Sequence, residues 1–397
     1  MEATGEMHDR RNQSTSAHGI AGPAHREGPG GPLGVLHVIT TLDVGGAERM
    51  LVSLVTQSPR TRFEHHVVSL VPGGYYVPTL RAAGIRVTEI AMGPRPPRPL
   101  AILTLARLIR RTRPRIVQGW LYHGDLAATL GLALSGRRRT TRLAWGVQCS
   151  NLNIRLYRPQ LALAIRACAA LSALPDVVVS NSDAGLARHR ALGYRPARTC
   201  VIYPGIDTER FRPRPEAGRT VRQELGISSS APILAHVARR DPMKDHACLL
   251  ATLDRLPAVH ALAIGAGTET LPDQPGLHRL GRRADVERLL VACDVSVSSS
   301  AFGEGFSNSI AESMATGVPV VTTDVGDARV VVGDAGHVVP VRAPDHLAAA
   351  VRQLLDEPPP AHQARGERAR ARIVARFDLR RMVDRYTELY TTLAGAD

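Results

Sequence analysis

"VSVSSSAFGEGFSNSIAESMATGVPVVTT", residues 295–323, decides the fold. Its first six residues suit a short buried strand, "SIAESMAT" (309–316) has helical spacing, and "PVVTT" (319–323) returns to a strand. Strand, crossover helix and strand make a unit whose two strands lie parallel in one sheet, with a right-handed connection. Asn308 suits the N-cap of the helix, Gly317 suits the stop just past its end, and Pro319 follows. The loop "GEGFSN" then offers glycine flexibility and free N–H groups at a helix N-terminus, a place where a phosphate can sit. Glu304 lies in that loop and Glu312 eight residues on. Carboxylates repel phosphate but accept hydrogen bonds from the neutral hydroxyls of a ribose or a hexose. Acidic and anion-binding elements side by side suggest a ligand with both phosphates and hydroxyls. The plainer alternative is a capped helix with two solvent-facing glutamates.

The same alternation runs outward in both directions. Downstream of residue 220, "APILAHVAR" (231–239), "VHALAIGAG" (259–267) and "GLHRLG" (276–281) read as strands, with helices "DHACLLATLDRL" and "ADVERLLVACD" among them. The C-terminal tail reads as three helices. Upstream, "GVLHVITTL" (34–42), "HHVVSLVP" (65–72), "RIVQGW" (115–120), "RLAWGVQ" (142–148) and "DVVVSNS" (176–182) read as strands, interleaved with helices such as "AERMLVSLVTQ" and "PLAILTLARLIRRTRP". Between the halves, "YPGIDTERFRPRPEAGRT" (203–220) is rich in Pro, Gly and Arg and reads as a linker. Two doubly wound α/β units are expected, with ligands held at the carboxyl ends of their strands and in the cleft between them.

Two cations fall at one such strand end. "HVARRDPMKDH" (236–246) puts Arg239 at the close of a strand and Lys244 at the start of a helix. Arginine grips two phosphate oxygens with a planar fork and lysine acts as a point charge, so the pair could neutralise a diphosphate. Two surface cations are the alternative. In the first half, "DVGGAE" (43–48) follows the first strand, and Gly45 and Gly46 permit close backbone approach before a helix; a tight structural turn reads equally well. "QGWLYHGD" (118–125) groups Trp120, Tyr122, His123 and Asp125 at another strand end. His123 could donate to a sugar hydroxyl or act near the reacting carbon, or be an ordinary structural histidine.

Composition sets outer bounds. The chain has 397 residues, a formal net charge of +14 and 50 Lys plus Arg, of which Lys244 alone is lysine. Such a balance suits an anionic partner, although many arginines must simply be solvated. Five cysteines (149, 168, 200, 248 and 293) form no C-x-x-C pair, which signals neither a disulfide framework nor a zinc site and fits a reducing, cytoplasmic setting. No stretch is long and apolar enough for a transmembrane helix. Residues 1–33 are polar and rich in Gly, Pro and Ser, and are expected to be a disordered tail. There is no D-x-D triplet to hold a metal–diphosphate, no G-x-x-x-x-G-K-[ST] phosphate loop and no G-x-S-x-G elbow. Diphosphate charge is then left to protein cations and helix termini.

Taken together, these residues resemble the retaining glycosyltransferases of family four, which have the GT-B fold. The Glu304/Glu312 pair in "EGFSNSIAESMATGVPVV" resembles that family's E-x7-E signature, and "VARRDPMKDH" its V-G-R-x-x-x-x-K-G-H. "DVGGAE" is similar to its first glycine loop and "VIYPGIDTERFRP" to its interdomain segment. The likeness runs from about residue 34 to 395. It implies a first Rossmann-like domain over 34–205, on the acceptor side, and a second over 206–377 that binds the donor. A last helix, 378–395, would cross back onto the first. It also implies roles: Arg239 and Lys244 on the donor diphosphate, and Glu312 on the ribose. Glu304 and the amides of Gly305, Phe306, Ser307 and Asn308 would hold the donor sugar and distal phosphate. Gly46, beside Gly45, would approach that phosphate, and Leu280–Gly281 would lie near the base. The chain departs from the family in three places. Gln118-Gly119-Trp120 stands where H-x-H is common, Pro204 where Asn is usual before Gly205, and Asp245 where Gly usually follows the lysine.

The expected activity is transfer of a sugar from a nucleoside diphosphate sugar, by family resemblance a UDP-sugar, to an acceptor hydroxyl. Configuration would be retained, by front-face attack, with no metal and no cofactor beyond the nucleotide-sugar co-substrate. The acceptor would be a glycan, a lipid-linked or a small-molecule hydroxyl, and a lipid-linked one is compatible with peripheral contact at the inner membrane face. Nucleic acid is not expected. The rival reading is a basic protein that binds nucleic acid or acidic membrane without transferase activity, through helix 99–113. A nicotinamide-dependent oxidoreductase lacks its fingerprint.

Overall fold

Apolar runs such as "LGVLHVI" and "ILAHV" are buried along most of their length, as strands covered on both faces by helices must be. The computed structural model describes residues 31–92, 99–148 and 159–395. The expected tail, up to residue 30, and Cys149 lie outside the described residues.

The first lobe alternates strictly. Its elements are β1 (Leu33–Ile39), α1 (Gly46–Gln57), β2 (Phe63–Ser69), α2 (Val77–Ala82), β3 (Arg86–Glu89) and α3 (Pro99–Thr112). They continue with β4 (Ile116–Trp120), α4 (Leu121–Ser135), β5 (Arg142–Val147), α5 (Pro159–Leu171), β6 (Val177–Ser180), α6 (Asp183–Ala191) and β7 (Thr199–Val201). The seven strands are parallel, in the order β3-β2-β1-β4-β5-β6-β7. One face of the sheet is covered by α3, α4 and α5, around buried Leu105, Leu132 and Trp145.

The second lobe opens with α7 (Pro215–Glu224), β8 (Ile233–Val237), α8 (His246–Leu253), β9 (His260–Ile264), β10 (Leu277–Gly281), α9 (Val286–Leu290) and β11 (Val295–Ser298). It closes with α10 (Asn308–Ala315), β12 (Val320–Thr323), α11 (Ala328–Val332), β13 (His337–Val339), α12 (Pro344–Leu355) and α13 (Pro359–Phe377). Its six strands run in the order β10-β9-β8-β11-β12-β13. The two doubly wound parallel sheets are therefore those read from the sequence.

The last helix, α14 (Leu379–Gly395), belongs to the first lobe's core. Met382, Tyr386, Tyr390 and Leu393 pack with α1 and β1 on the face opposite α3–α5. The chain thus passes between lobes twice, and the two passages are bonded side by side. Ile206 N–H donates to Phe377 O at 2.8 Å, and Leu379 N–H donates to Ile206 O at 2.9 Å.

Two local readings are corrected. The linker read over 203–220 ends early, because α7 begins at Pro215. Proline is suited to the first helical position, where its missing N–H is not needed. Ser307, extended at φ −88° and ψ 103°, is the N-cap of α10, and Asn308 is its first helical residue. Gly317 sits past the helix end at φ +80°, as its place in the sequence suggested.

Candidate functional site

Strand order places the site. The first sheet reverses direction between β1 and β4, and the second between β8 and β11. A crevice opens at the carboxyl end of a doubly wound sheet where the order reverses. Arg239 and Lys244 follow β8, and the loop 303–307 follows β11. The Gly45–Gly46 loop follows β1, and Trp120 and His123 lie at the β4–α4 junction.

The loops after β8 and β11 are stitched together. Asp241 caps a 3-10 turn over Pro242–Lys244, its Oδ1 accepting from Met243 N–H at 3.0 Å. Lys244 is therefore two residues short of the helix start, and α8 begins at His246. Between them Asp245 takes a left-handed conformation (φ +45°, ψ +59°), one that glycine adopts freely and Asp tolerates. Its side chain accepts from Cys248 N–H at 3.2 Å and so caps α8. Ser299 Oγ–H donates to the Lys244 carbonyl at 2.8 Å, and Ala301 N–H to the Met243 carbonyl at 2.8 Å. With both loops fixed, Lys244 Nζ donates to Glu304 Oε1, which also accepts from Ser300 Oγ–H at 2.7 Å. Both side chains of this pair are nearly buried, 14% and 11% exposed.

Glu312 is held differently. Its Oε1 pairs with Arg49 of α1 at 2.5 Å, an ion pair between the lobes, with the Glu312 side chain 7% exposed. Close by, a Cβ added at Gly46 would stand 3.3 Å from Asn308 Nδ2, so the glycine loop backbone lies against the start of α10. No side chain caps that helix. A Cβ at Gly305 would meet Asn181 Oδ1 and Ser182 Oγ at 2.7 Å, so only glycine lets this loop approach the end of β6. Asp327 clamps the same region. Its carboxylate accepts from the N–H groups of Asp183 and Ala184 at 2.7 and 2.9 Å, at the first turn of α6 in the other lobe. Its own N–H donates to Gly305 O at 2.9 Å.

Of the residues read from the sequence, the structure brings Lys244 to Glu304, and Gly46 to Asn308 with Glu312 beside them. Arg239 pairs with Asp241 at 3.1 Å and keeps a 59% exposed side chain. It faces Glu48 of the glycine-loop helix, whose carboxyl burial pushes above the usual range and Arg239 draws back. Phe306 turns its ring into the core against Tyr203 and Phe377, leaving its backbone to the loop. Ser307 Oγ lies 3.3 Å from Ser309 Oγ. Leu280 and Gly281 end β10, two strands from β8, where Gly281 N–H donates to Thr268 Oγ1 at 3.1 Å.

The segment where the family often has H-x-H is wholly interior. Gln118 Oε1 accepts from Tyr390 OH at 2.5 Å, and Trp120 Nε1–H donates to His37 Nδ1 at 3.1 Å. A Cβ at Gly119 would collide with Asp125. Trp120 therefore has no reach into the cleft. His123 is exposed on the first turn of α4, its imidazole pKa lowered by partial burial. Sequence reading missed Arg49 and Asp327. Arg49 offered one signal, its place a turn beyond Gly45–Gly46, and Asp327 offered none. A surface hollow at the opposite, amino end of the second sheet, lined by Arg222, Asp294 and His362, has those groups already bonded to one another.

Comparison with known proteins agrees with this layout. Residues 44–210 match the family model "Glycosyltransferase Family 4", and residues 231–357 match "Glycosyl transferases group 1". The chain is 32% identical over 210 residues to D-inositol 3-phosphate glycosyltransferase 2 of Catenulispora acidiphila, covering 46% of this chain and 48% of that protein. It is 30% identical over 225 residues to D-inositol 3-phosphate glycosyltransferase of Mycobacterium marinum, covering 52% and 47%. The chain thus spans about half the length of the curated relatives it matches. Among solved structures, Anabaena HepE in complex with UDP and glucose superposes with a TM-score of 0.77 at 20% identity, over 90% of this chain and 99% of that one. A glycosyltransferase from Rickettsia africae superposes with a TM-score of 0.77 at 19% identity, over 92% and 100%.

Proposed function

Because the chain belongs to glycosyltransferase family 4, we propose that it is a retaining glycosyltransferase of the GT-B fold. It moves a sugar from a nucleoside diphosphate sugar, a UDP-sugar in the first instance, to an acceptor hydroxyl in the cytoplasm. The observation that carries this reading is the pairing of Lys244 with Glu304 beside an α10 terminus that no side chain caps, facing the Gly45–Gly46 loop. The UDP preference leans on HepE, whose structures hold UDP, UDP-glucose, and UDP with glucose.

In this proposal the donor diphosphate lies between Arg239, Lys244 and the first amides of α10. Glu312 accepts from the ribose hydroxyls, and Glu304 accepts from the donor sugar while orienting Lys244. As the bond from the anomeric carbon to the leaving oxygen breaks, negative charge grows on the β-phosphate. Lys244 and Arg239 then stabilise charge that develops with bond breaking, which is where electrostatic catalysis is most effective. The acceptor oxygen attacks from the same face and passes its proton to the departing phosphate, so no metal is needed to balance the charge. His123 is the side chain at the acceptor edge suited to hold a hydroxyl.

The test is a panel of nucleotides and nucleotide sugars scored by thermal shift, followed by product analysis with candidate acceptors, D-inositol 3-phosphate among them. A ligand selective for the folded state raises its apparent stability with concentration. A concentration-dependent shift with one nucleoside diphosphate, and transfer from its sugar, is expected. No shift with any member overturns the reading.

A further inference from the structure

The charge of this chain is not spread over it. Between Glu89 and Asp176 the sequence carries fourteen arginines and a single acidic residue, Asp125, so this stretch holds nearly all of the formal charge of +14. Asp125 is fully buried and cannot offset the arginines at the surface. The rest of the sequence is nearly balanced, with 36 Lys and Arg against 35 Asp and Glu, and several of its arginines sit in ion pairs, as in Arg288 with Glu224 and Asp285, Arg329 with Asp324, and Arg365 with Glu357.

The helices of this stretch, α3, α4 and α5, form one layer on one face of the first sheet. Its outer surface is also apolar. Leu103 on α3, Leu130 and Leu134 on α4, and Leu163 on α5 are exposed by 38%, 47%, 51% and 69%. Scattered single leucines would need no explanation, but four of the large exposed apolar residues fall on this one layer. Arg107 and Arg110 on α3, Arg139 after α4 and Arg166 on α5 are exposed among them. Arg110 lies against the end of α4, its Nε–H donating to Ser135 O at 3.3 Å beside Leu134. Leucines set among arginines that form no ion pair among the described residues, with no surface carboxylate on the three helices, match the chemistry of a lipid surface. Acyl chains take the apolar groups and anionic headgroups take the cations. A nucleic acid would use the arginines and leave the leucines in water.

We propose that the outer face of α3, α4 and α5 docks on an anionic phospholipid bilayer. The proposal does not depend on the transferase reading, and its test needs no sugar donor. The full chain is sedimented with vesicles of equimolar phosphatidylglycerol and phosphatidylcholine, and with vesicles of phosphatidylcholine alone. Binding to the anionic vesicles only is expected at low salt. Arg107→Ala with Arg166→Ala weakens it by roughly fivefold per charge, while the two lysine replacements retain most of it. Leu130→Ser with Leu134→Ser and Leu163→Ser weakens it about tenfold or more through lost burial. Circular dichroism establishes that each variant folds, and Leu163→Ser alone carries the leucine test if the triple variant does not. Equal binding to both vesicle types overturns the proposal. So does wild-type binding by the leucine variant together with displacement of vesicles by a short duplex DNA, which would give the patch to nucleic acid.

Discussion

Lys244 is fixed from both ends. Its carbonyl is held by Ser299 and its ammonium by Glu304, so its charge stands at a defined point beside the loop after β11. Loss of one pre-placed donor to a developing anion costs about 10²–10³ in turnover. Lys244→Ala is therefore expected to lower kcat by that factor at saturating donor, read by steady-state kinetics. Near-normal kcat would remove the leaving-group role. Arg49 stands in the opposite relation to its carboxylate. It occupies the Glu312 oxygen that a ribose hydroxyl would use. A half-exposed ion pair is worth about 1 kcal/mol or less. Arg49→Ala is therefore expected to lower the donor KM severalfold with kcat little changed. A raised KM would mean that Arg49 holds the donor itself.

At the scale of elements, Asp327 joins the lobes through the first turn of α6. A carboxylate accepting two backbone N–H groups at a helix N-terminus meets unpaired donors and the positive end of the helix. Asp327→Ala is expected to cost about 2 kcal/mol of stability, within the range of charge-assisted hydrogen bonds. Asp327→Asn should cost about half as much, both read by urea denaturation. An unchanged midpoint for the alanine variant would show that the contact holds nothing. No sequence pattern announces this contact, because it exists only once the lobes meet; Arg49 offered no more than its place a turn beyond Gly45–Gly46. Glu304, Glu312 and Lys244 were legible because residue type, strand-end position and spacing are local properties. Buried strands were legible for the same reason, their runs being mainly apolar and broken only by single polar residues or short polar groups such as Glu64–His66. Short elements such as β3, β7 and α11, of three to five residues, carry too little periodicity to read. Pro215 was read as a breaker because a proline that opens a helix looks the same in sequence as one that prevents it.

The molecule as a whole stores neutral histidines in its sheets. His37 and His65 lie 2.9 Å apart on β1 and β2, and burial holds His37 well below its usual pKa and His65 down to about 4. His236 in the second sheet is depressed in the same way, first by burial and then by His246 and Lys244. Below about pH 6.5 the unfolded chain takes up protons that the folded chain refuses, so stability falls as pH falls, by about 1.4 kcal/mol per pH unit for each such group. Buried Asp125 works the other way. Its pKa is raised well above the usual carboxylate range by burial, so its contribution is full below that range and is lost as pH rises towards the raised value. The histidines outnumber it. The urea midpoint is expected to drop between pH 7 and pH 5, and His65→Gln should drop less. Equal slopes for the two proteins would rule this out. The return of α14 to the first lobe has a consequence of another kind, for a chain still on the ribosome. The second lobe is contiguous in sequence and can close as soon as α13 has emerged. The first lobe, begun earlier, must wait for Tyr390 and Leu393 before its core is complete. At ordinary rates of synthesis that delay after Val201 is roughly 10–40 s. During it the face of β1 and α1 that α14 covers stands open, so the lobe made first is finished last.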